Sequence, residues 1–311
     1  MMASNTQQRQ KARLFLGLFA GLWLLLVANI PAMSQIPTDS GKADMSEKTN
    51  LLFIHHSCGG TLLADTGVKS GGAKGSGQRC IYDAHPNGGG LRTMLESAEY
   101  QVNELSYESR LGEDTDIHHW RAKFNNHMDE LLRTGQQDDL LPEGQTNAVV
   151  VFKSCYPNND YSGEGTEPGD PDSPERTIFN SKAAYNSLLP LFQKHPDVLF
   201  VAFTAPPRAE PKPRGFKEKV AFLFKKKVKD ADYARQFNSW LVDEQNGWLK
   251  GYGLPNVAVF DYYDILTDNG QSNWSRYPSQ GGYDSHPTEQ GNEKAAKIFM
   301  TVLKEAEAGM N

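Results

Sequence analysis

A serine follows the first short apolar run beyond the N-terminal segment, and an aspartate and a histidine two residues apart stand near the other end of the chain. Leu51-Leu52-Phe53-Ile54 leads straight into His55-His56-Ser57-Cys58-Gly59-Gly60, and Asp284-Ser285-His286-Pro287 precedes Glu289-Gln290-Gly291-Asn292. A serine hydroxyl becomes a nucleophile when a neutral imidazole takes its proton. That imidazole in turn needs a carboxylate to fix its tautomer and stabilise its cation. Ser57, His286 and Asp284 supply these three groups, with Asp264 as a reserve carboxylate. Gly59 and Gly60 predict backbone N–H groups that approach a developing oxyanion with no Cβ in the way. The plainer alternatives are a serine that merely turns the chain and an aspartate that closes a turn beside His286. The presence of both sets in one chain favours the nucleophilic reading.

These residues need a scaffold that joins the two ends of the chain. Leu51–Ile54, Tyr100–Tyr107, Ala148–Phe152, Val198–Phe203 and Val257–Phe260 read as strands, four of them continuous apolar runs. Leu91–Ala98, His119–Leu132, Ile178–Gln193, one or two segments within residues 216–249, and Glu289–Ala308 read as helices. Apolar strands alternating with helices predict an α/β fold in which a five-stranded parallel sheet is covered on both faces, a doubly wound three-layer domain. Ligands in such folds bind beyond the carboxyl ends of the strands. The loops after Ile54, Tyr107, Phe152, Phe203 and Phe260 are therefore where chemistry is expected.

Ser57 after the first strand, an Asn-bearing loop after the third, and Asp-x-His-Pro before the last helix resemble the SGNH (GDSL-type) hydrolases. The likeness spans most of residues 50–311 and keeps the order of the family's blocks. It implies a flavodoxin-like sandwich with strand order 2-1-3-4-5 and a serine esterase activity without a cofactor or metal. Carried over residue by residue, the nucleophile is Ser57 and the base His286. The oxyanion hole combines the Ser57 backbone N–H, Gly112 after the second strand, and Asn158 or Asn159 in Lys153-Ser154-Cys155-Tyr156-Pro157-Asn158-Asn159-Asp160. Asn158 is preferred because Pro157 fixes the backbone before it. Two departures stand out. His55-His56 replaces the Gly-Asp that usually precedes the serine, and Tyr283 stands three residues before His286, where the family has its aspartate. Asp284, two residues before, resembles the spacing of alginate-type O-acetyltransferases. The implied reaction is hydrolysis of an O-acyl, especially acetyl, ester of a carbohydrate. An acyltransferase with the same triad and a catalytically silent carbohydrate-binding protein are the alternatives.

Other chemistries fit less well. The Ser57 segment approaches the G-x-S-x-G elbow of α/β-hydrolases, but that elbow follows several strands and its acid and base lie far apart. His55, His56, Cys58, Cys80 and His85 carry metal-ligating atoms, yet neighbours on a strand face opposite sides, and His118-His119 meets the same objection. A structural role is expected for these histidines. Residues 70–77 are Gly-rich but do not match a phosphate loop and read as a rim loop. Asp160, Glu164, Glu167, Asp170, Asp172 and Glu175 read as a solvated lid, and Asn273-Trp274-Ser275 is only a formal glycosylation acceptor.

The chain has 311 residues, 38% of them hydrophobic, and a net charge of −6, which gives no general attraction to nucleic acid. Arg9, Lys11 and Arg13 precede an apolar run from Leu14 to Ile30, followed by Ala32-Met33-Ser34. This pattern predicts a signal peptide over residues 1–34 cleaved near Ser34, or else an uncleaved anchor, and export to the periplasm or medium. Residues 35–49 read as a linker. Three cysteines, Cys58, Cys80 and Cys155, allow at most one internal disulfide. The topology would bring Cys58 and Cys155 together. Lys217–Lys229 interleave with apolar residues at helical spacing, which predicts a packed helix with a basic outer face, a candidate for contact with a membrane surface or anionic polymer.

Overall fold

The computed structural model describes residues 48–71, 79–213 and 230–310. The signal-like segment, nearly all of the linker, most of the Gly-rich stretch and the basic segment 217–229 lie outside the described residues.

Five parallel strands form the central sheet. β1 (Thr49–Ile54) lies between β5 (Tyr100–Leu105) and β6 (Val149–Lys153), followed by β7 (Leu199–Phe203) and β8 (Val257–Phe260). Counted among the core strands alone, the order is 2-1-3-4-5. Successive side chains of a strand point to opposite faces, and here both faces are dry. Leu52, Ile54, Val150, Phe152, Phe200 and Ala202 pack in one layer with Trp120, Phe124, Tyr185 and Phe237. Leu51, Phe53, Val149, Val151, Val201 and Phe203 pack in the other with Leu62, Leu91, Leu95, Phe299 and Leu303. The helices that supply those partners are α3 (Trp120–Leu132), α4 (Ile178–Asn186) and α6 (Asp230–Val242) on the first face. α1 (Ser57–Leu63), α2 (Leu91–Ser97) and α8 (Glu289–Met310) cover the second. In α8 the buried residues Ala295, Ala296, Phe299 and Leu303 recur at helical spacing.

The differences from the sequence reading have local causes. The segment 178–193 is not one helix but α4 followed by a short α5 (Leu189–Phe192), with Pro190 in the first turn of the second. A proline has no N–H to continue the ladder of a preceding helix, so it fits only near a helix start. The second core strand ends at Leu105 rather than Tyr107. Between α1 and α2 the chain forms a small sheet of β2 (Asp65–Thr66), β3 (Ser70–Gly71) and β4 (Tyr82–His85) in the order β2-β4-β3. After α7 (Tyr262–Leu266), β9 (Pro278–Ser279) pairs antiparallel with β10 (Asp284–Pro287).

Candidate active site

The end of β1 is anchored from behind. His55 N–H donates to Leu105 O at 3.0 Å, and the imidazole is fully buried. Its Nδ1 donates to His56 O at 3.1 Å and its Nε2 meets Glu104 Oε2 at 2.9 Å. Arg92 pairs with the other oxygen of Glu104 and donates to Tyr82 O at 2.8 Å. Burial pushes the Glu104 carboxyl up, but His55 and Arg92 outweigh it and hold it below its ordinary range. His56 Nε2 donates to Gly112 O at 2.8 Å, and its ring stacks on Tyr107 at 3.6 Å. Burial, aided by His55 and Lys153 and opposed by the Gly112 bond, pushes His56 down to about 4, so it is neutral at pH 7.

Ser57 is the first residue of α1. The two following glycines serve packing rather than the approach to an anion. A Cβ on Gly59 would lie 2.4 Å from His55 Cβ, one on Gly60 would lie 1.8 Å from Cys80 O, and both N–H groups donate to His56 O.

The two ends of the chain meet at this turn. Ser57 Oγ lies 2.8 Å from His286 Nε2, and His286 Nδ1 lies 2.6 Å from Asp284 Oδ1. Asp284 and His286 belong to β10, where residues two apart share a face. The close spacing thus needs extended backbone, not a tight turn. Asp284 Oδ1 also accepts the His286 backbone N–H at 3.0 Å, and Oδ2 accepts from Gln280 Nε2 at 3.0 Å. Burial raises the Asp284 carboxyl, but the His286 backbone N–H and imidazole and the Ser279 side chain together lower it, so it stays ionised. Asp264 is committed elsewhere, to Arg235 at 2.8 Å.

Gly112 and the asparagines expected to hold an oxyanion are engaged with other partners. Gly112 N–H points to Ser109 O and Oγ, each at 3.1 Å. Asn158 Nδ2 donates to Asp116 Oδ1 at 2.8 Å and to Cys155 O at 3.2 Å, while its Oδ1 accepts Ile117 N–H at 2.9 Å. Asn159 Nδ2 donates to Ala205 O and Pro206 O, so it ties two loops together.

Tyr156 and Gln280 gave no signal of a role in the sequence, whereas Cys155 was expected beside Cys58. Tyr156 presents its ring edge-on to His286 at 5.2 Å, Gln280 braces Asp284, and Cys155 Sγ lies 3.7 Å from Ser57 Oγ. A cleft of about 400 Å³ is lined by Ser57, His286, Tyr82, His85, Asn87 and Gln280, so the small sheet supplies one wall. A larger hollow of about 510 Å³ runs along α3 past His118 and Asp172 and is not lined by Ser57, Asp284 or His286.

Among the described residues, Asp116, His118 and His119 bring potential ligand atoms within 4.8 Å of one another; the objection from strand geometry does not hold there, because this segment is a helical turn. Two of the three already hold other partners. Asp116 Oδ1 receives Asn158, and His119 Nδ1 receives the Asp116 N–H at 3.3 Å.

No known protein family and no curated protein matches this chain by sequence. Among solved structures, the chain is similar to a family two carbohydrate esterase from Cellvibrio japonicus at 12% identity and a TM-score of 0.32. That match covers 85% of this chain and 63% of the other. A second solved chain matches at 13% identity and a TM-score of 0.39, over 83% of this chain and 97% of its own. Likenesses this distant carry no functional weight, and the reading of function rests on the site itself.

Proposed function

We propose that the chain is an exported serine-dependent hydrolase of SGNH type, acting on an O-acyl, especially acetyl, ester of a carbohydrate. The observation that carries this reading is the unbroken chain from Ser57 Oγ through His286 to Asp284, at 2.8 and 2.6 Å. In the proposed reaction Ser57 attacks the ester carbonyl while His286 Nε2 takes its proton. His286 then returns the proton to the leaving alcohol, and a water repeats the cycle on the acyl-serine. Asp284 keeps Nδ1 protonated and stabilises the imidazolium. The oxyanion is held first by the Ser57 backbone N–H. Gly112 and Asn158 join it by exchanging their present partners for the oxyanion. The polar wall of His85, Asn87 and Gln280, with Tyr82 beside it, suits a hydroxyl-rich leaving group.

The test is turnover of p-nitrophenyl acetate together with labelling by a fluorophosphonate. Labelling is expected at Ser57, and Ser57→Ala should abolish it and lower kcat by roughly 10⁴-fold or more. Unchanged turnover in that variant would refute the mechanism. Free acetate released from an acetylated polysaccharide, measured against acetate passed to an added sugar, separates hydrolysis from transfer.

A further inference from the structure

Two thiols meet beside the nucleophile. Cys58, the chain neighbour of Ser57, and Cys155, just beyond β6, place their sulfurs 3.4 Å apart, and Cys155 Sγ is 3.7 Å from Ser57 Oγ. Both are free and buried. Closing a disulfide needs a sulfur separation of about 2.05 Å, so the approach required is small enough for side-chain rotation to share between the two residues. Cys80, by contrast, has its sulfur against the Tyr82 hydroxyl at 3.5 Å.

We propose that Cys58 and Cys155 form a redox-active dithiol whose oxidation to a disulfide by a low-molecular-weight disulfide activates Ser57. This rests on the esterase reading above. The Cys155 thiolate attacks one sulfur of the oxidant R–S–S–R, making a mixed disulfide and expelling one thiolate, RS⁻. The Cys58 thiol gives its proton to that RS⁻, and its sulfur attacks Cys155 Sγ and expels the second RS⁻. Two protein thiols are oxidised and one oxidant molecule is reduced to two RSH after protonation.

The activation follows from what the reduced sulfur does to Ser57. Cys155 Sγ is a second polar partner for the serine hydroxyl, in competition with His286. The Cys58 thiol, the Lys153 ammonium and the Ser57 hydroxyl all favour the Cys155 thiolate and pull its pKa well below the ordinary range, against its burial. A thiolate there draws the Ser57 hydroxyl's hydrogen bond away from His286 while being too weak a base to take the proton, and it opposes the negative charge that grows on the ester oxygen. A disulfide has neither proton nor charge, so it leaves His286 as the acceptor.

The experiment uses the purified chain after dithiothreitol and after oxidised glutathione, with disulfide mapping by mass spectrometry and p-nitrophenyl acetate turnover on the same samples. The expected result is a Cys58–Cys155 bond and a rise in kcat of about tenfold or more that dithiothreitol reverses. Cys58→Ser and Cys155→Ser should lose the response to oxidant, and Cys80→Ser should retain it. Absence of the mapped bond, or a bond that leaves turnover unchanged or lowers it, would overturn the proposal. Absence of both turnover and fluorophosphonate labelling in either redox state would refute the esterase reading instead, and the mapped bond would still decide whether the dithiol exists.

Discussion

Replacing Asp284 by Asn isolates the charge of the proposed acid from its geometry. Asp284 Oδ1 accepts two donors, the His286 backbone N–H at 3.0 Å and Nδ1 at 2.6 Å, and Oδ2 accepts Gln280 Nε2 at 3.0 Å. An amide nitrogen at the Oδ1 position would face both His286 donors, so the introduced amide must keep its oxygen there. Its nitrogen then meets the Gln280 donor, and that outer bond is lost. The imidazole tautomer is preserved and the carboxylate charge is removed. An imidazolium and a carboxylate with centres about 4 Å apart attract by about 4 kcal/mol at an effective dielectric of ~20. Side-chain exposures of 28% for His286 and 23% for Asp284 let solvent screen part of that. A surviving effect of about 2–4 kcal/mol corresponds to a fall in kcat of about 30- to 1,000-fold. The assay is p-nitrophenyl acetate turnover, with thermal unfolding as the control for fold. A variant within about threefold of the native rate would refute Asp284 as the acid partner. A loss as large as that of Ser57→Ala would refute the claim that the tautomer survives.

Two further predictions concern the turn behind Ser57. Glu104→Gln leaves the buried His55 and the partly exposed Arg92 without their carboxylate and should lower stability by about 3–5 kcal/mol, read from urea midpoints; a loss under about 1 kcal/mol would refute the importance of the pair. His56 is held neutral down to about pH 4 by burial, while the unfolded chain protonates near 6.5. Between those values the unfolded state binds more protons, so this contribution is complete above about pH 6.5 and falls by about 3 kcal/mol as pH drops to 4. His56→Gln should flatten that part of the stability profile, and an equal slope in both proteins would refute the assignment.

Most of the sheet was legible because four of its five strands are built on unbroken apolar runs. Val149–Phe152 and Leu199–Phe203 have no polar member, and burial on both faces of a parallel sheet demands that. The strand order, which the family resemblance implied, is the one the structure has. Short elements were illegible for the opposite reason. β2, β3, β9 and the two-residue pairings around them have no period to detect, because two residues cannot alternate. That blind spot matters, since the small sheet carries Tyr82 and His85 into the cleft and β9 pairs with the strand bearing Asp284 and His286. Gln280 and Tyr156 escaped for another reason: they touch Asp284 and His286 through tertiary contact alone.

The segment before Ser57 shows why residue type alone gave an incomplete account there. His55-His56 looked like a place for a metal or a structural histidine, and the two side chains do different work. They point to opposite sides of the chain. His55 reaches Glu104 on the neighbouring strand, and His56 reaches Gly112 in the loop beyond that strand. The peptide entering Ser57 is thus held from both faces, and Gly59 leaves the space His55 needs. A buried His–Glu–Arg group is a poor source of net stability, because desolvation offsets its attraction. Its effect is positional: moving the turn by even about 1 Å would break hydrogen bonds inside the protein that no water can replace, and it would spoil the 2.8 Å contact between Ser57 and His286.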